Sequence, residues 1–412
     1  MNRTLITGNV AAAWGARLAA VDYIPAFPIT PQTEIIETLA GWIDAGEMNA
    51  RLVTLESEHS MVTAAAAAAA TGVRTFTATS SQGLLHAMEM IFTVAGWRVP
   101  FVMVNVSRAL ASPITLEPDH TDVLAARDAG WIQIHCATCQ EVLDSILIAY
   151  RLAEDPRVRL PVIVNQDGFY LSFTREPVAI PDEDEVAAFI PPFATGQAAF
   201  RGGQSASQGV AVLGGTPYSY FRYEAHLALQ ESLTVYDAIA AEFEHAFGRH
   251  WPAIDAYRAG DAEIVFFMIG AFATKAKDAV DRLREDGWHI GLIRPRLIRP
   301  FPEAQLRRHL FGVRAVIVVD QNLSMGKGGV LHAELASVLA GQPNMPMLVP
   351  FIGALGGRDI ARDEFFAMAR TAKEAVESGI APAPRLLFKA RELREVRRLQ
   401  AIASVERSKT AP

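Results

Sequence analysis

Cysteine is scarce in this chain of 412 residues, which contains two, Cys136 and Cys139. Two cysteines cannot form the disulfide framework that stabilises small secreted domains. They are also too few to hold an iron–sulfur cluster by themselves, because such clusters need a larger set of thiolate ligands. We therefore expect a protein of a reducing compartment, whose stability comes from packing rather than from crosslinks.

An excess of positive charge is also absent, since 38 Lys and Arg residues face 45 Asp and Glu residues and the formal net charge is −7. This balance excludes the broad basic field through which many proteins bind nucleic acid. The longest apolar run, around Ala64–Ala70, is shorter than the ~20 residues that a membrane-spanning helix requires. Met1–Val10 lacks the apolar core and cleavage site of a secretory signal. We expect a cytoplasmic protein with no membrane span.

The composition is that of a folded chain, with 50% hydrophobic and 20% charged residues. At about 150 residues per domain, the length predicts two or three domains. Strand-like and helix-like segments alternate as far as Asn165 and again from Glu263. Such alternation predicts an α/β fold with mostly parallel sheets and helices on both faces.

The composition changes between these two regions. Residues 173–260 contain proline clusters, acidic runs and the Gly202-Gly-Gln-Ser205 stretch, and they predict connecting structure with one helix over Leu233–Phe247. We therefore predict a first domain with its connecting segment over residues 1–258, a second domain over 259–385 and a helical tail over 386–412.

Three short motifs have ordinary interpretations. Cys136-Ala-Thr-Cys139 has redox spacing, but it stands alone between a strand and a helix, which favours two buried thiols. Gly326-Lys-Gly-Gly329 and Gly353-Ala-Leu-Gly-Gly357 match no nucleotide-binding fingerprint and predict tight turns. Asp119-His-Thr-Asp122 lacks the further ligands of a metal site, so we expect a hydrogen-bond cluster that holds the loop of Arg108.

A more specific pattern is formed by polar residues that follow three predicted strands. Thr30 follows Phe27-Pro-Ile, Glu58 lies in Glu56-Ser-Glu-His, and Arg108 follows Val106-Ser. The carboxyl ends of parallel strands meet at one edge of a sheet. A hydroxyl, a carboxylate and a guanidinium are therefore expected to converge on one small ligand.

These segments also resemble a known family. In order, the chain contains Phe27-Pro-Ile-Thr-Pro31, Glu56-Ser-Glu-His59, Thr77-Ala-Thr-Ser-Ser-Gln-Gly83, Ser107-Arg-Ala-Leu110, Asp119-His-Thr-Asp122, Arg127-Asp-Ala-Gly-Trp131, Asp167-Gly-Phe169, Arg299-Pro-Phe-Pro302 and Gly356-Gly-Arg-Asp-Ile360. The series resembles the α subunit of the 2-oxoacid:acceptor oxidoreductases, the pyruvate:ferredoxin oxidoreductase family in its multi-subunit form. The resemblance extends over residues 4–385.

The resemblance implies a pyrimidine-binding domain for thiamine diphosphate, followed by an α/β domain like the C-terminal domain of transketolase. Glu58 matches the family's cofactor-activating glutamate, and Thr30 and Arg108 match its contacts to the substrate carboxylate. A carboxyl that shares a proton with the pyrimidine ring lets the cofactor activate itself. The resemblance also implies further cofactor contacts at Pro28, Ile29, Ser81 and Gln82, and no metal ligands in this chain.

Two signatures are missing from the sequence: a Gly-Asp-Gly followed by Asn, which holds magnesium and the diphosphate, and a four-cysteine cluster motif. The resemblance therefore implies a β subunit with the diphosphate and Mg²⁺ sites, a γ subunit, and a ferredoxin-like subunit. [4Fe-4S] clusters would be held by the β and ferredoxin-like subunits, and coenzyme A would accept the acyl group.

Two departures from the family's pattern bear on the substrate. Thr115-Leu-Glu-Pro-Asp-His120 lacks an aromatic residue found in many pyruvate-specific relatives, and Phe173 replaces a histidine that is frequent there. Both leave open an aromatic 2-oxoacid such as phenylglyoxylate beside pyruvate. In that case NAD becomes a candidate acceptor, reached through a partner subunit that carries FAD.

Two other functions remain open on the residues alone. One is a non-catalytic assembly subunit, which would not require Thr30, Glu58 and Arg108 together. The other is a non-oxidative thiamine-dependent decarboxylase, which would need no cluster-bearing partners.

Overall fold

The computed structural model describes residues 3–193, 200, 203 and 207–410, with side chains as far as residue 404. The Gly-Gln-Ser stretch of the connecting segment and the last residues of the tail lie largely outside this range. The strands are β1 (Arg3–Thr7), β2 (Tyr23–Ala26), β3 (Arg51–Thr54), β4 (Phe76–Thr79), β5 (Val102–Ser107), β6 (Ile132–His135), β7 (Val162–Asp167), β8 (Arg175–Ala179), β9 (Ile254–Tyr257), β10 (Ile264–Phe267), β11 (Ile290–Pro295), β12 (Leu297–Arg299), β13 (Ala315–Asp320), β14 (Met347–Ile352) and β15 (Arg385–Leu386).

The helices are α1 (Gly8–Leu18), α2 (Thr33–Asp44), α3 (Glu58–Ala70), α4 (Ser81–His86), α5 (Met88–Trp97), α6 (Thr121–Ala125), α7 (Cys139–Ala153), α8 (Glu183–Phe189), α9 (Gly215–Phe247), α10 (Phe272–Glu285), α11 (Glu303–His309), α12 (Val330–Leu339), α13 (Arg362–Ser378) and α14 (Ala390–Thr410). Among the described residues, none of these helices combines the length and the apolar character needed to cross a bilayer.

The first sheet has the order β12-β6-β7-β5-β4. Strands β4 to β7 are parallel, and β12 is antiparallel to β6. The parallel pair β2-β3 continues this sheet through a bridge between Tyr23 and Thr75. Successive residues of β7 face opposite sides, since Val162 and Val164 join the core with α1 and α7, whereas Ile163 joins the core with α3 and α5. Burial on both faces explains why these strands read as continuous apolar runs.

The second sheet has the order β15-β14-β13-β10-β11-β9 and is parallel apart from β9 at its edge. Helices α10 and α13 cover one face. Residues of α11 and α12 on the other face share a hydrophobic cluster with α3 and α5 of the first sheet. The predicted α/β class is confirmed, with helices on both faces of both sheets.

The connecting segment contains more structure than the sequence predicts. Residues 173–260 form β8, α8, α9 and β9, and α9 has 33 residues rather than the predicted Leu233–Phe247. The buried residues of α9 lie between Ala228 and Phe247. Its first turns are largely exposed, although they carry large apolar side chains such as Tyr220, Tyr223 and Leu227. The segment between β4 and β5 forms two successive helices, α4 and α5.

Candidate functional site

The polar residues that follow β2, β3, β4 and β5 lie at one edge of the first sheet. These strands run parallel, so their carboxyl ends face the same way. We use the name carboxyl-edge site for the residues that follow them: Pro28, Ile29, Thr30, Glu58, Ser81, Gln82 and Arg108.

Glu58 is the first residue of α3 and is 5% exposed. The helix starts there because the Ser57 hydroxyl accepts a hydrogen bond from the backbone N–H of Ser60, at 3.2 Å. A carboxylate in the first turn also interacts favourably with the helix dipole. Oε2 of Glu58 lies 3.0 Å from Nδ1 of His86 at the end of α4.

The other oxygen of Glu58 faces the start of α4. A Cβ added to Gly83 would lie 2.5 Å from Oε1 of Glu58 and 2.6 Å from Oγ1 of Thr79. A glycine is therefore required for this close approach. Oγ1 of Thr79 and Oγ of Ser80 are buried and have no hydrogen-bond partner among the described residues. The buried carboxylate thus lies beside one polar atom, the Thr79 oxygen, that a bound heterocycle could satisfy.

Arg108 follows β5 and is 8% exposed. Its Nη1 donates to the backbone oxygen of Thr30 at 2.7 Å, and its Nη2 donates to Oε1 of Gln82 at 2.7 Å. Burial lowers the pKa of this guanidinium, although the charge of Asp122 opposes the shift. The structure therefore brings Arg108 and Thr30 together, but the contact is made by the backbone carbonyl of Thr30. Thr30 itself is exposed.

Helix α4 connects the two halves of the site. Gln82 contacts Arg108 and the next residue, Gly83, packs against Glu58. The Ser81 hydroxyl lies 2.6 Å from the same Gln82 oxygen. In the loop after β2, Pro28 is exposed and Ile29 is half-buried, at the same edge of the sheet.

Asp122 is a buried carboxylate that joins two of these loops. Its Oδ2 accepts hydrogen bonds from the backbone N–H groups of Ser81, at 2.9 Å, and Arg108, at 3.2 Å. The same oxygen accepts from the side-chain amide of Asn105 at 3.1 Å. Burial raises the pKa of Asp122, although these hydrogen bonds favour its charged form. The expected hydrogen-bond cluster is present and it holds the loop of Arg108.

His120 connects the site to the second sheet. Its Nε2 lies 2.7 Å from Oδ1 of Asp167, and the Asp167 Oδ2 accepts from the backbone N–H of Ala271 at 2.8 Å. Gly270 packs so closely that an added Cβ would lie 2.7 Å from Oδ2 of Asp167. Burial disfavours the charged form of His120, but the Asp167 charge outweighs it and raises the pKa of His120.

Sequence reasoning missed His86 and Asn105. His86 lies three residues after Gly83, about one helical turn. This spacing is a signal that could have placed both residues on the face of α4 that contacts Glu58. Asn105 lies inside an apolar strand, and a polar residue within such a strand is a recognisable exception.

The other motifs form local structure. Cys136 and Cys139 are buried free thiols, as the ordinary interpretation predicts, and burial raises the pKa of Cys136 to about 12. Gly328 and Gly356 have positive φ angles; Gly328 pairs with Ser324 in a short bridge, and Gly356 lies in a 3₁₀ helix over Leu355–Gly357. Within the described residues, His, Cys, Asp and Glu side chains form no group of three or more that would suit a metal ion.

Family comparisons agree with this geometry. A profile described as pyruvate flavodoxin/ferredoxin oxidoreductase, thiamine diphosphate-binding, matches residues 14–242. A second profile, pyruvate:ferredoxin oxidoreductase core domain II, matches residues 262–365. The whole carboxyl-edge site lies within the first match, and most strands of the second sheet lie within the second.

Curated relatives match over almost the full length. The pyruvate synthase subunit PorA of Pyrococcus abyssi is 40% identical over 377 residues, which cover 92% of this chain and 95% of the relative. The ketoisovalerate oxidoreductase subunit VorA of Pyrococcus horikoshii is 38% identical over 380 residues, covering 92% of this chain and 95% of the relative.

Solved structures share the fold. A 2-oxoglutarate:ferredoxin oxidoreductase from Magnetococcus marinus, with 2-oxoglutarate, coenzyme A and succinyl-CoA bound, matches with a TM-score of 0.71 and 20% identity over 91% of this chain. The present chain spans 65% of that solved chain. A split-gene transketolase, described as an inactive β4 tetramer, matches with a TM-score of 0.51 and 14% identity, covering 90% of this chain and 97% of the other. The fold is therefore a thiamine-diphosphate pyrimidine-binding domain followed by a transketolase C-terminal-like α/β domain. The chain belongs, as an α subunit, to the pyruvate:ferredoxin oxidoreductase family of multi-subunit 2-oxoacid:acceptor oxidoreductases.

Proposed function

We propose that this chain, together with partner subunits, oxidatively decarboxylates a 2-oxoacid in the cytoplasm. The reaction converts the 2-oxoacid and coenzyme A into an acyl-CoA, CO₂, a proton and two electrons that pass to an acceptor. The observation that supports it best is the placement of a buried carboxylate, Glu58, and a buried guanidinium, Arg108, at one carboxyl edge of a thiamine-type fold. A scaffold without catalysis would not require either group to be buried there.

The proposed role of Glu58 is to hold a proton between its Oε1 and the pyrimidine ring nitrogen of thiamine diphosphate. The side chain fits this role because its Oε1 lies beside Thr79, whose hydroxyl lacks a partner among the described residues. Pro28, Ile29, Ser81 and Gln82 are the proposed further cofactor contacts. When bound, the cofactor supplies a nucleophilic carbon and takes up the electron pair that CO₂ leaves behind.

The proposed role of Arg108 and Thr30 is to orient the carboxylate of the 2-oxoacid. A guanidinium presents a planar set of donors that matches a carboxylate. Two of the Arg108 nitrogens are already fixed by Thr30 and Gln82, so the group is held in place before substrate arrives. Strong binding of the ground-state carboxylate would slow its loss as CO₂, so orientation is the expected contribution.

The proposed partners follow from what the chain does not contain. Its sequence has no diphosphate and Mg²⁺ signature, and its two thiols are buried. We assign the diphosphate and Mg²⁺ sites to a β subunit and the [4Fe-4S] clusters to the β subunit and a ferredoxin-like subunit, with a γ subunit completing the complex. Ferredoxin is the proposed acceptor, and NAD through an FAD subunit is the alternative that an aromatic substrate would favour.

The proposed substrate is a 2-oxoacid of the pyruvate kind. The relatives named above act in pyruvate synthase and ketoisovalerate oxidoreductase, so small and branched 2-oxoacids are both supported. A dye-reduction screen of the purified complex with pyruvate, 2-oxoisovalerate and phenylglyoxylate, with and without coenzyme A, tests this directly. If no 2-oxoacid is oxidised in a coenzyme A-dependent way, the oxidative function is wrong and a non-oxidative decarboxylase or an assembly subunit replaces it.

The residue roles are tested by two substitutions in the complete complex. Glu58→Gln retains shape but cannot pass a proton, so we expect kcat to fall about 100-fold or more. Arg108→Ala is expected to reduce kcat/KM for the 2-oxoacid about tenfold or more while the KM for coenzyme A stays unchanged.

Glu56→Gln is the matched control for Glu58. Glu56 lies two residues away, is exposed, and contacts the Ser60 hydroxyl. Its variant should retain wild-type kcat. Wild-type turnover by Glu58→Gln with cofactor bound would remove Glu58 from the mechanism, and a change of less than about twofold in Arg108→Ala would do the same for the carboxylate role.

A further inference from the structure

His86, the last residue of α4, contacts the carboxylate of Glu58. The side chain of His86 is 60% exposed, whereas that of its partner Glu58 is 6% exposed. Their Nδ1 and Oε2 atoms are 3.0 Å apart. The histidine itself is largely exposed, so it buries little surface on folding and its own contribution to stability is expected to be small. The contact therefore matters chiefly for the state and orientation of the buried carboxylate.

The two oxygens of Glu58 meet different groups on α4. His86 contacts Oε2, and Gly83, one helical turn earlier, leaves the space into which Oε1 fits. Residues three apart lie on the same face of a helix, so one short helix contacts both oxygens. With hydrogen on Nδ1 the ring donates to Oε2, which leaves Oε1 beside the Thr79 hydroxyl, a group without a hydrogen-bond partner among the described residues.

We infer that His86 is a positioning residue for Glu58: it engages Oε2 and thereby fixes Oε1 toward the pyrimidine ring nitrogen of the cofactor. This inference rests on the proposed role of Glu58. It adds a residue that acts through the carboxylate without contacting the substrate. No bond is made or broken by His86, since its contribution is the orientation of a neighbouring proton carrier.

His59 provides a contrast within the same chain. It is adjacent to Glu58 in sequence and its side chain is 39% exposed, but its Nε2 lies 3.5 Å from Oε2 of Glu89. The two histidines therefore differ in the carboxylate that they contact, and His59 serves as a matched control.

The test uses His86→Leu, His86→Asn and His59→Leu in the complete complex. Asparagine places a side-chain amide close to the position of histidine Nδ1 and can donate the same hydrogen bond, whereas leucine cannot. Two measurements need no 2-oxoacid: the dissociation constant of thiamine diphosphate, and the rate at which its C2 proton exchanges with deuterium, followed by NMR after acid quench.

We expect His86→Leu to slow the exchange about tenfold and to weaken cofactor binding severalfold, because a hydrogen bond to a charged group is lost. His86→Asn should stay within about twofold of the wild type, and His59→Leu should be unchanged. Because His86 is largely exposed, its variants should fold normally, and their melting temperatures should equal that of the wild type.

Wild-type exchange and binding in His86→Leu would overturn the inference, and so would a His86→Asn variant as slow as His86→Leu. Glu58→Gln, measured in parallel, separates this failure from a failure of the proposed function. If Glu58→Gln exchanges slowly while His86→Leu is normal, only the role of His86 is wrong. If Glu58→Gln exchanges at the wild-type rate, the role of Glu58 itself is wrong.

Discussion

Asp122 faces hydrogen-bond donors with both of its oxygens. Oδ2 accepts from Ser81, Arg108 and Asn105, and Oδ1 accepts from the backbone N–H of Val123 at 2.7 Å. The NH₂ group of an asparagine can only donate. In either orientation of its amide, an asparagine at position 122 would therefore face one set of these donors with its NH₂ group. We therefore predict that Asp122→Asn lowers the free energy of unfolding by about 2 kcal/mol, measured by urea denaturation.

Asp119→Asn is the control for this prediction. Asp119 lies on the same loop, and its Oδ1 accepts from the backbone N–H of Thr121 at 2.9 Å. An asparagine oxygen can accept that bond, so the cost should be under about 1 kcal/mol. Equal stability of the two variants would show that Asp122 does not hold the Arg108 loop as described.

At the scale of residues, the sequence alone predicts the site residues that follow the ends of strands. Glu58 and Arg108 could be named because each follows an apolar strand and belongs to an ordered series of motifs. His86 could not, because its partner is 28 residues away and the contact depends on how α4 packs against α3. Contacts between separate elements are set by packing, which one local pattern does not contain.

Helix α3 shows how an element can place a site. Its Ala-rich segment lets it pack against β2 and α5, and Ala66 is 0% exposed. The helix therefore presents Glu58 at a fixed position at its first turn. We predict that Ala66→Leu costs about 1–3 kcal/mol of unfolding free energy, because extra methyl groups do not fit a packed core.

Ala67→Leu is the matched control, since Ala67 is exposed on the same helix. Its effect should lie within about 0.5 kcal/mol, because leucine is also a good helix former. Thermal or urea unfolding of the two variants measures the difference. If Ala67→Leu proved as destabilising as Ala66→Leu, close packing of α3 would not be the cause.

The elements that the sequence revealed are those with buried faces. The helix predicted over 233–247 covers most of the packed part of α9, whereas the start at Gly215 was missed because the first turns pack against little else. Strand β12, with three residues, is too short to produce a periodic pattern, although it completes the first sheet. Short and exposed elements are defined by their neighbours rather than by their own composition.

At the scale of the whole molecule, the chain passes between the two sheets more than once. Strand β9 pairs with β11 in the second sheet, and β12 returns to pair with β6 in the first. One hydrophobic cluster contains residues from both sheets. The predicted limits at 258 and 385 remain predictions, and this shared core explains why composition alone cannot divide the chain sharply.

Glu141 joins the two sheets through buried charges. It is 4% exposed on α7, and its Oε1 lies 2.6 Å from Nη2 of Arg294 and 3.2 Å from Nη2 of Arg296. We predict that Glu141→Gln lowers the free energy of unfolding by about 3 kcal/mol at pH 7, because two buried guanidinium groups lose their shared counter-charge. Glu303→Gln, which removes an exposed pair with Arg307 on α11, should cost under about 1 kcal/mol.

The cost of Glu141→Gln should also depend on pH. Burial opposes the charged form of Glu141, but the charges of Arg294 and Arg296 outweigh it and lower the pKa of Glu141 in the folded chain. The pKa of Glu141 is thus lower in the folded chain than in the unfolded chain, where it is about 4.3. The charge of Glu141 therefore stabilises the folded chain fully above about pH 4.3, and this stabilisation is lost as the pH falls through the folded pKa. The difference in urea midpoint between wild type and Glu141→Gln should therefore be constant from pH 8 to about pH 5 and shrink below that. A difference that stays constant into the acidic range would mean that the buried charge of Glu141 does not hold the two sheets together.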